Sequence, residues 1–238
     1  MIVDFHTHIF PAEIRNRRDR YFQSEPAFKV LYESPKSKMV GAEDLIDAMD
    51  RDGIDKSVIF GFPWCTADTF RFHNDYIIQA VDRFPKRLIG FGCFDPFQTG
   101  AEKEARRCLE NGLAGIGELA FYQSEIDAAA IARLEPIMAI CRDGDRPLFI
   151  HTNEPVGHLY PGKTANTLAQ LYALAKRYPA NKLVFAHWGG GIFFFHLLKK
   201  EVRSVLRNVY FDTAASPFLY KPAVYSIAVQ LAGVEKIF

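Results

Sequence analysis

The sequence predicts an α/β barrel, and two observations lead to this fold class. First, seven short apolar runs with the character of strands alternate with seven longer segments of helical periodicity. Second, residues with metal-binding or acid–base chemistry follow several of these runs at the C-terminal end, where parallel barrel strands form one mouth. An open, doubly wound sheet would spread these strand ends apart, so a (β/α)8 TIM barrel is the better interpretation.

The elements follow one another in a regular order along the chain. The expected strands are residues 2–5, 56–62, 87–94, 114–119, 147–151, 182–187 and 208–211. The expected helices are residues 42–51, 68–83, 101–111, 128–142, 164–177, 195–206 and 222–232. Gly53, Gly112 and Gly144 lie just past three of these helices, as is typical of helix C-termini.

The end of the chain predicts an incomplete barrel. Residues 234–238 resemble the opening of an eighth strand, and the sequence stops there. We therefore expect a single domain over residues 1–238 that is truncated within strand 8 and lacks the following helix. Because an open barrel leaves an unpaired strand edge, self-association into a homo-oligomer is left open.

One connection, residues 11–40, is longer than most links between a strand and the next helix. Loops of this length are usually lids, binding segments or disordered excursions. Since it follows the first strand at the predicted mouth, we expect a lid or insertion loop over the site.

Composition narrows the class of partner. The net charge is +1 and the sequence has no long block of like charge, which argues against nucleic acid as a partner. No apolar run is long enough to span a bilayer, and no signal peptide is recognisable. The four cysteines contain no CxxC pair, which favours free thiols in a reducing compartment. A cytoplasmic protein acting on a small molecule is expected.

The most informative motif is Asp4-Phe5-His6-Thr7-His8 at the end of the first strand. Side chains at positions i and i+2 of a strand point to the same side, so His6 and His8 can converge on one ion. His151 and His187 follow two later strands. Imidazole groups that converge from several strands indicate an open divalent metal site of the hydrolytic type.

Three carboxylates lie within or at the ends of strands that carry these histidines or neighbour them. Glu118 is either a direct metal ligand or a group that orients a ligand histidine, and both interpretations stay open. Asp4 lies on the same face of the strand as His6 but deeper in the barrel. We expect it to orient the ligand histidines without binding the ion itself. Asp212 is a candidate catalytic carboxylate, with capping of the following turn as the alternative.

The loop after the fifth strand carries three further polar candidates. His158, Tyr160 and Lys163 could hold a carboxylate or phosphate of a substrate, because loops at the mouth often supply such contacts. A surface turn built on the glycines and proline of the same loop is the alternative. His73 and His196 lie within helical segments and are expected to be ordinary packing or surface histidines.

Four segments resemble one known family and occur in its order. They are Asp4-Phe-His6-Thr-His8, Gly115-Ile-Gly-Glu118-Leu, Phe149-Ile-His151-Thr-Asn-Glu-Pro and Ala186-His187-Trp-Gly-Gly-Gly191. Together they resemble the amidohydrolase superfamily, specifically its amidohydrolase-related branch (amidohydrolase 2). The chain is similar to the aminocarboxymuconate-semialdehyde decarboxylase-like, metal-dependent hydrolases of that branch.

The resemblance implies a distorted barrel that holds one or two divalent ions, with zinc expected first and manganese or iron as alternatives. It implies that His6, His8 and His151 are ligands, and that His187 either binds a second ion or transfers a proton beside a single ion. It also implies that Glu118 can bridge two ions. The family expects an aspartate at the end of strand 8, which lies beyond this sequence.

The sequence therefore predicts a metal-dependent hydrolase. An activated water would attack the carbonyl of an amide, lactone or ester in a small molecule, with His187 moving a proton. A metal-dependent, non-oxidative decarboxylase acting on a small carboxylated substrate is the alternative, since the same branch contains both. A truncated barrel without turnover is the third possibility.

Overall fold

The computed structural model describes residues 1–198 and 200–238. The chain divides into two units, Met1–Leu119 and Ala120–Phe238. In each unit parallel strands alternate with helices, so the predicted α/β alternation is confirmed. The closed barrel, its truncation and the single domain stay predictions. Among the described helices, none combines the length and the apolar character that crossing a membrane requires.

Four strands of the first unit form a parallel sheet. They are β1 Val3–His8, β2 Lys56–Phe60, β3 Leu88–Gly92 and β4 Gly115–Leu119. The α-helices are α1 Ala12–Asn16, α2 Pro26–Tyr32, α3 Ala42–Asp52, α4 Ala67–Arg83 and α5 Ala101–Glu110. Strand β1 pairs with β2, β2 with β3 and β3 with β4, all in parallel. The C-terminal ends of these strands therefore lie at one edge of the sheet.

Helix α4 illustrates how the sequence positions the core of this unit. Its buried residues, Phe70, His73, Asn74, Ile77 and Ala80, recur at spacings of three and four along one face. Burying a phenylalanine or isoleucine of this kind contributes roughly 1.5–3 kcal/mol. The apolar face fixes α4 against the sheet, and with it the two polar side chains that it buries.

The segment 11–40, expected to be a loop, contains two helices. Besides α1 and α2 it forms a 3-10 turn at Arg18–Tyr21. The ring of Phe28 packs against Phe10 and Trp64, with centroids 6.1 and 4.5 Å away. This aromatic packing explains why the segment is ordered, because each buried ring adds apolar contact area. Its role as a lid stays a prediction.

The described residues of the second unit contain three parallel strands. They are β5 Leu148–Ile150, β6 Leu183–Phe185 and β7 Val209–Phe211. The α-helices are α6 Ala128–Arg133, α7 Glu135–Asp143, α8 Leu168–Arg177, α9 Glu201–Val205, α10 Ser216–Leu219 and α11 Ala223–Ala232. Strand β6 pairs with β5 and with β7.

Three predicted elements of this unit differ in the structure. The helix expected over 128–142 is interrupted at Leu134, because Pro136 cannot donate a backbone hydrogen bond and crowds the preceding turn. The helix expected over 195–206 is wrong in its first part, where 3-10 turns span His187–Leu197, and Lys199 lies outside the described residues. Val234–Lys236 form a 3-10 turn, and strand-like pairing begins only at Ile237, opposite Phe211.

Candidate metal centre

Strand β1 presents His6 and His8 on the same side, as the i, i+2 spacing predicts. The register between β1 and β2 shifts between Asp4 and Thr7, which marks a bulge at this point of the strand. Bulges re-aim side chains and are frequent beside active sites. The bulge lies in the segment of β1 that contains His6.

Three potential ligand atoms meet at this strand end. The Nε2 atoms of His6 and His8 lie 3.4 Å apart. The Oε2 atom of Glu118, at the end of β4, is 3.6 Å from Nε2 of His6 and 3.5 Å from Nε2 of His8. The Glu118 side chain is only 4% exposed. The structure thus brings together two predicted ligands and the carboxylate whose role the sequence left open.

The tautomer of His8 shows which of its ring nitrogens is available to bind an ion together with His6 and Glu118. Nδ1 of His8 lies 2.7 Å from the backbone oxygen of Gly61, a distance at which Nδ1–H must donate. In the neutral ring the Nε2 atom then carries a lone pair that points towards the Glu118 carboxylate. Metal-binding histidines commonly donate their other N–H to a backbone carbonyl in this way.

The spacing of the three atoms fits a bound cation. Two ligands held about 2.05 Å from a tetrahedral ion lie about 3.4 Å apart. The observed separations of 3.4–3.6 Å agree with this value. Imidazole nitrogen with carboxylate oxygen is a donor set that suits zinc, manganese or iron. The residues present therefore fit a divalent ion.

Aromatic neighbours hold the two imidazoles in place. Phe60, which is fully buried, meets the rings of His6 and His8 edge-on, with centroids 5.1 and 4.7 Å away. Tyr32, from α2, lies within electrostatic reach of Glu118. Burial and this carboxylate together raise the pKa of the Tyr32 hydroxyl far above its usual value, so it is a neutral donor at physiological pH.

The second unit holds its two predicted histidines in a similar manner. Nε2 of His151 lies 2.9 Å from the backbone oxygen of Gly162. Nδ1 of His187 lies 3.1 Å from the backbone oxygen of Ala214. With those nitrogens as donors, each ring keeps its other nitrogen for a ligand or a proton. The ring centroids of His151 and His187 are 5.2 Å apart, so the two side chains lie next to each other after strands β5 and β6.

Asp212 is fully buried at the end of β7 and caps the turn that follows. Its Oδ1 atom accepts hydrogen bonds from the backbone N–H of His187 at 2.6 Å and of Ala214 at 3.1 Å. These hydrogen bonds show the capping alternative from the sequence, and a catalytic role for Asp212 stays a prediction. The turn after β6 also requires glycine at position 190. Gly190 has a positive φ of 64°, and a Cβ there would collide with the backbone oxygen of Asn153.

Asp4 lies two residues before His6 in β1, further from the C-terminal end of the strand, and its role in supporting the ligands stays a prediction. It is exposed, and its carboxylate accepts hydrogen bonds from the backbone N–H of His6 and the hydroxyl of Thr7, both at 3.1 Å. The reason is local, because an aspartate readily bonds the backbone two residues ahead. Asp4 thus contacts the backbone of a ligand residue.

The three substrate-binding candidates lie in the loop after β5, where two of them hydrogen-bond to the carboxylate of Glu154 in the same loop. Lys163 Nζ donates to Glu154 Oε1 at 2.8 Å, and the hydroxyl of Tyr160 donates to Glu154 Oε2 at 2.7 Å. His158 is exposed, and its ring centroid lies 5.8 Å from that of Tyr160. The expected anion contact of Lys163 is therefore found within the protein, which favours the surface-turn alternative. Substrate binding by these residues stays a prediction.

Two residues that contact His8 or its neighbour Ile9 were not predicted from the sequence. Gly61 contributes only a backbone oxygen, which no motif reveals. His73 was expected to be an ordinary packing histidine, and it is indeed fully buried within α4. Its contact with Ile9, the residue that follows β1, depends on how α4 packs against the sheet. The sequence pattern does not specify this packing.

Comparison with known proteins identifies relatives of this chain. A family model described as amidohydrolase matches residues 3–238. A 2-amino-3-carboxymuconate-6-semialdehyde decarboxylase from Dictyostelium discoideum is 30% identical, over 79% of this chain and 63% of the relative. The chain thus spans less than two thirds of that relative's length.

Solved structures share the fold. The 5-carboxyvanillate decarboxylase of Sphingomonas paucimobilis superposes with a TM-score of 0.73 at 16% identity, covering all of this chain and 87% of the other. The 5-carboxyvanillate decarboxylase of Novosphingobium aromaticivorans, solved as a variant with bound manganese, gives a TM-score of 0.77 at 18% identity, over 100% and 85%. At these identities the likeness concerns the fold, which is that of TIM-barrel amidohydrolases.

Proposed function

Because this chain belongs to the amidohydrolase family, we propose that it is a metal-dependent decarboxylase that removes a carboxylate from a small unsaturated or aromatic acid. One observation supports this reaction over hydrolysis: the 30% identical relative is a decarboxylase. The main prediction from the sequence was a hydrolase, and its decarboxylase alternative is the better supported of the two. The activity of the whole protein is part of this proposal, since the chain spans 63% of that relative.

The group of His6, His8 and Glu118 would hold the divalent ion in this proposal. Its support is the mutual 3.4–3.6 Å spacing of the three atoms and the lone pair that His8 directs at them. His151 as a further ligand stays a prediction from the sequence. Manganese is a reasonable first choice of ion, because a structural neighbour was solved with it, and zinc suits the same donors.

A divalent ion bound there would supply a Lewis acid that offsets negative charge on substrate oxygen atoms. The protein groups have separate tasks. The buried Glu118 would supply a carboxylate oxygen to the ion, and His6 and His8 would supply imidazole nitrogens. The Tyr32 hydroxyl, which lies within electrostatic reach of Glu118, would donate a hydrogen bond to the substrate. These fixed groups orient a substrate without costly rearrangement.

Decarboxylation also requires a proton. The bond between carbon and carboxylate breaks, carbon dioxide leaves, and the electron pair left on carbon takes up one proton. His187 is the residue we assign to hold that proton. Its Nδ1 is engaged by the backbone oxygen of Ala214 at 3.1 Å, so its Nε2 atom is the one that can carry and release the proton.

The test is a product analysis on the manganese-loaded chain. We would offer 2-amino-3-carboxymuconate-6-semialdehyde and 5-carboxyvanillate, each labelled with carbon-13 in the carboxylate, and the lactone 2-pyrone-4,6-dicarboxylate. Headspace mass spectrometry of labelled carbon dioxide and chromatography of the acids separate the two reactions. We expect labelled carbon dioxide with one of the acids, lost on metal removal and in His8→Ala.

His196→Ala is the matched control, since this histidine lies near the end of the 3-10 turns at His187–Leu197 and has no part in the proposed ligand group or proton transfer. It should release carbon dioxide like the wild type. Ring opening of the lactone without carbon dioxide from either acid would reject the decarboxylase in favour of a hydrolase.

A further inference from the structure

His73 is a fully buried histidine outside the ligand group, and both of its ring nitrogens have partners. The indole N–H of Trp64 lies 2.8 Å from its Nδ1, and its Nε2 lies 2.7 Å from the backbone oxygen of Ile9. Because an indole N–H can only donate, Nδ1 must accept and Nε2–H must donate to Ile9. The ring is therefore a single neutral tautomer. Its burial agrees with this, since desolvation lowers the pKa of His73 to about 4.

This ring touches both backbone groups that fix His8. Ile9, which accepts the Nε2–H proton of His73, directly follows His8 in the chain. Gly61, whose oxygen accepts the Nδ1–H proton of His8, packs directly against the His73 ring. A Cβ added at Gly61 would lie 2.9 Å from Cγ and Nδ1 of that ring, closer than real contacts allow. Only glycine lets the two elements approach so closely.

We infer that His73 is the positioning residue of the candidate metal centre, orienting the His8 imidazole by holding Ile9 and by supporting the Gly61 carbonyl. The inference rests on the proposed function in one respect, namely that His8 is a metal ligand. His73 itself contacts neither ion nor substrate in this account. It acts through two backbone groups, and outer partners of this kind normally tune the affinity of a metal site.

If the role of His73 were purely structural, its replacement would have a different effect. Its loss would lower the stability of the fold and leave the affinity for the ion unchanged. The aromatic contacts of His73 with Trp64 and Phe10, at 5.8 and 5.1 Å between ring centroids, are of that structural kind. The test must therefore measure metal affinity and coordination separately from stability.

The experiment uses the full chain and the ions Mn2+ and Co2+ alone. His73→Phe keeps an aromatic ring against Gly61 but removes both hydrogen bonds, and we expect it to weaken Mn2+ binding about 10- to 100-fold. His73→Gln keeps an N–H donor for Ile9, so we expect a smaller loss. Gly61→Ala pushes the ring and the carbonyl apart without altering His73, and it should weaken binding in the same direction. Electron paramagnetic resonance of free Mn2+ gives the dissociation constants.

Ile77→Val is the matched control. Ile77 is fully buried one turn further along α4 and is not part of the site. Its replacement should lower the melting temperature and leave the Mn2+ dissociation constant within about twofold of the wild type, because distant sites act independently. The visible spectrum of the Co2+-loaded protein should change in the His73 and Gly61 variants and not in this control.

The outcomes separate this inference from the proposed function. Wild-type Mn2+ affinity and an unchanged Co2+ spectrum in His73→Phe and Gly61→Ala would overturn the inference while leaving the metal centre intact. A wild-type chain that binds neither ion would overturn the metal centre and the inference together. If His73→Phe does not fold, Gly61→Ala alone decides between the two roles.

Discussion

His8 owes its suitability as a ligand to a hydrogen bond on the far side of its ring. The 2.7 Å contact from Nδ1 to the Gly61 oxygen fixes the tautomer, so that Nε2 presents a lone pair. A lone pair that faces the lone pairs of a buried carboxylate is repulsive unless a cation or proton lies between them. Glu118 therefore contributes the negative charge of the ligand group, and replacing it should lower the affinity for the divalent ion.

The residue-scale prediction concerns Glu118→Gln, which keeps the shape of the side chain and removes its charge. We expect Mn2+ to bind at least about 10- to 100-fold more weakly, since even partners outside the ligand sphere contribute that much. Equilibrium dialysis with elemental analysis measures the effect. Glu104→Gln is the control, because Glu104 is a buried carboxylate of the same unit that binds Arg107 instead. Equal Mn2+ affinity in the two variants would contradict a ligand role for Glu118.

Residue-scale chemistry was only partly predictable. His6, His8 and His151 could be proposed as ligands because each lies at or just after the end of an apolar strand, and the ligand role of His151 stays a prediction. Gly61 and His73 could not be identified, since one contributes a backbone atom and the other depends on the packing of a helix. The role of Glu118 stayed open for the same reason, as its distance from His6 is a tertiary property.

At the scale of elements, the loop after β5 is stabilised by a carboxylate of its own. Glu154 and Lys163 form an ion pair at 2.8 Å with side chains only 16% and 8% exposed. Burial raises the pKa of Glu154, but the hydrogen bonds from Lys163 and Tyr160 lower it more, and the pKa ends below its ordinary value of 4.5. The ammonium group of Lys163 therefore binds a carboxylate of its own loop, whereas the sequence predicted that it could hold a carboxylate or phosphate of a substrate.

The pH dependence of stability follows from the sign of that shift. A carboxyl whose pKa is lower in the folded state stabilises the fold above its unfolded pKa, and loses this contribution as the pH falls through the folded pKa. Lys163→Met should therefore lower the free energy of unfolding near neutral pH by about 1.5–3 kcal/mol. The difference from wild type should shrink as the pH falls below 4.5. Urea denaturation at several pH values measures it.

Lys182→Met provides the control for this element. Lys182 pairs with Asp145 at 2.8 Å, but the two side chains are 45% and 83% exposed. An exposed pair contributes about 0–1 kcal/mol, so this variant should differ little from wild type at any pH. If Lys163→Met behaves in the same way as Lys182→Met, the loop does not depend on the buried pair.

At the scale of the whole molecule, the alternation of strands and helices could be predicted because both periodicities are strong in the sequence. The family resemblance was confirmed by the match over residues 3–238. Two features were beyond the sequence pattern. The turns after β6 contain five consecutive residues, His187 to Gly191, with positive φ, which no periodicity predicts. Helix α2 of segment 11–40 packs Phe28 against aromatic residues distant in the sequence, Phe62 and Trp64, a contact that its own sequence does not reveal.

The central claim is that His6, His8 and Glu118 bind one divalent ion, and anomalous X-ray diffraction from crystals of the Mn2+-loaded chain tests it most directly. We expect an anomalous peak at the manganese edge about 2.0–2.3 Å from Nε2 of His6, Nε2 of His8 and a carboxylate oxygen of Glu118. A peak bound elsewhere, or no peak in crystals grown with saturating Mn2+, would contradict the claim and remove the basis for a metal-dependent reaction.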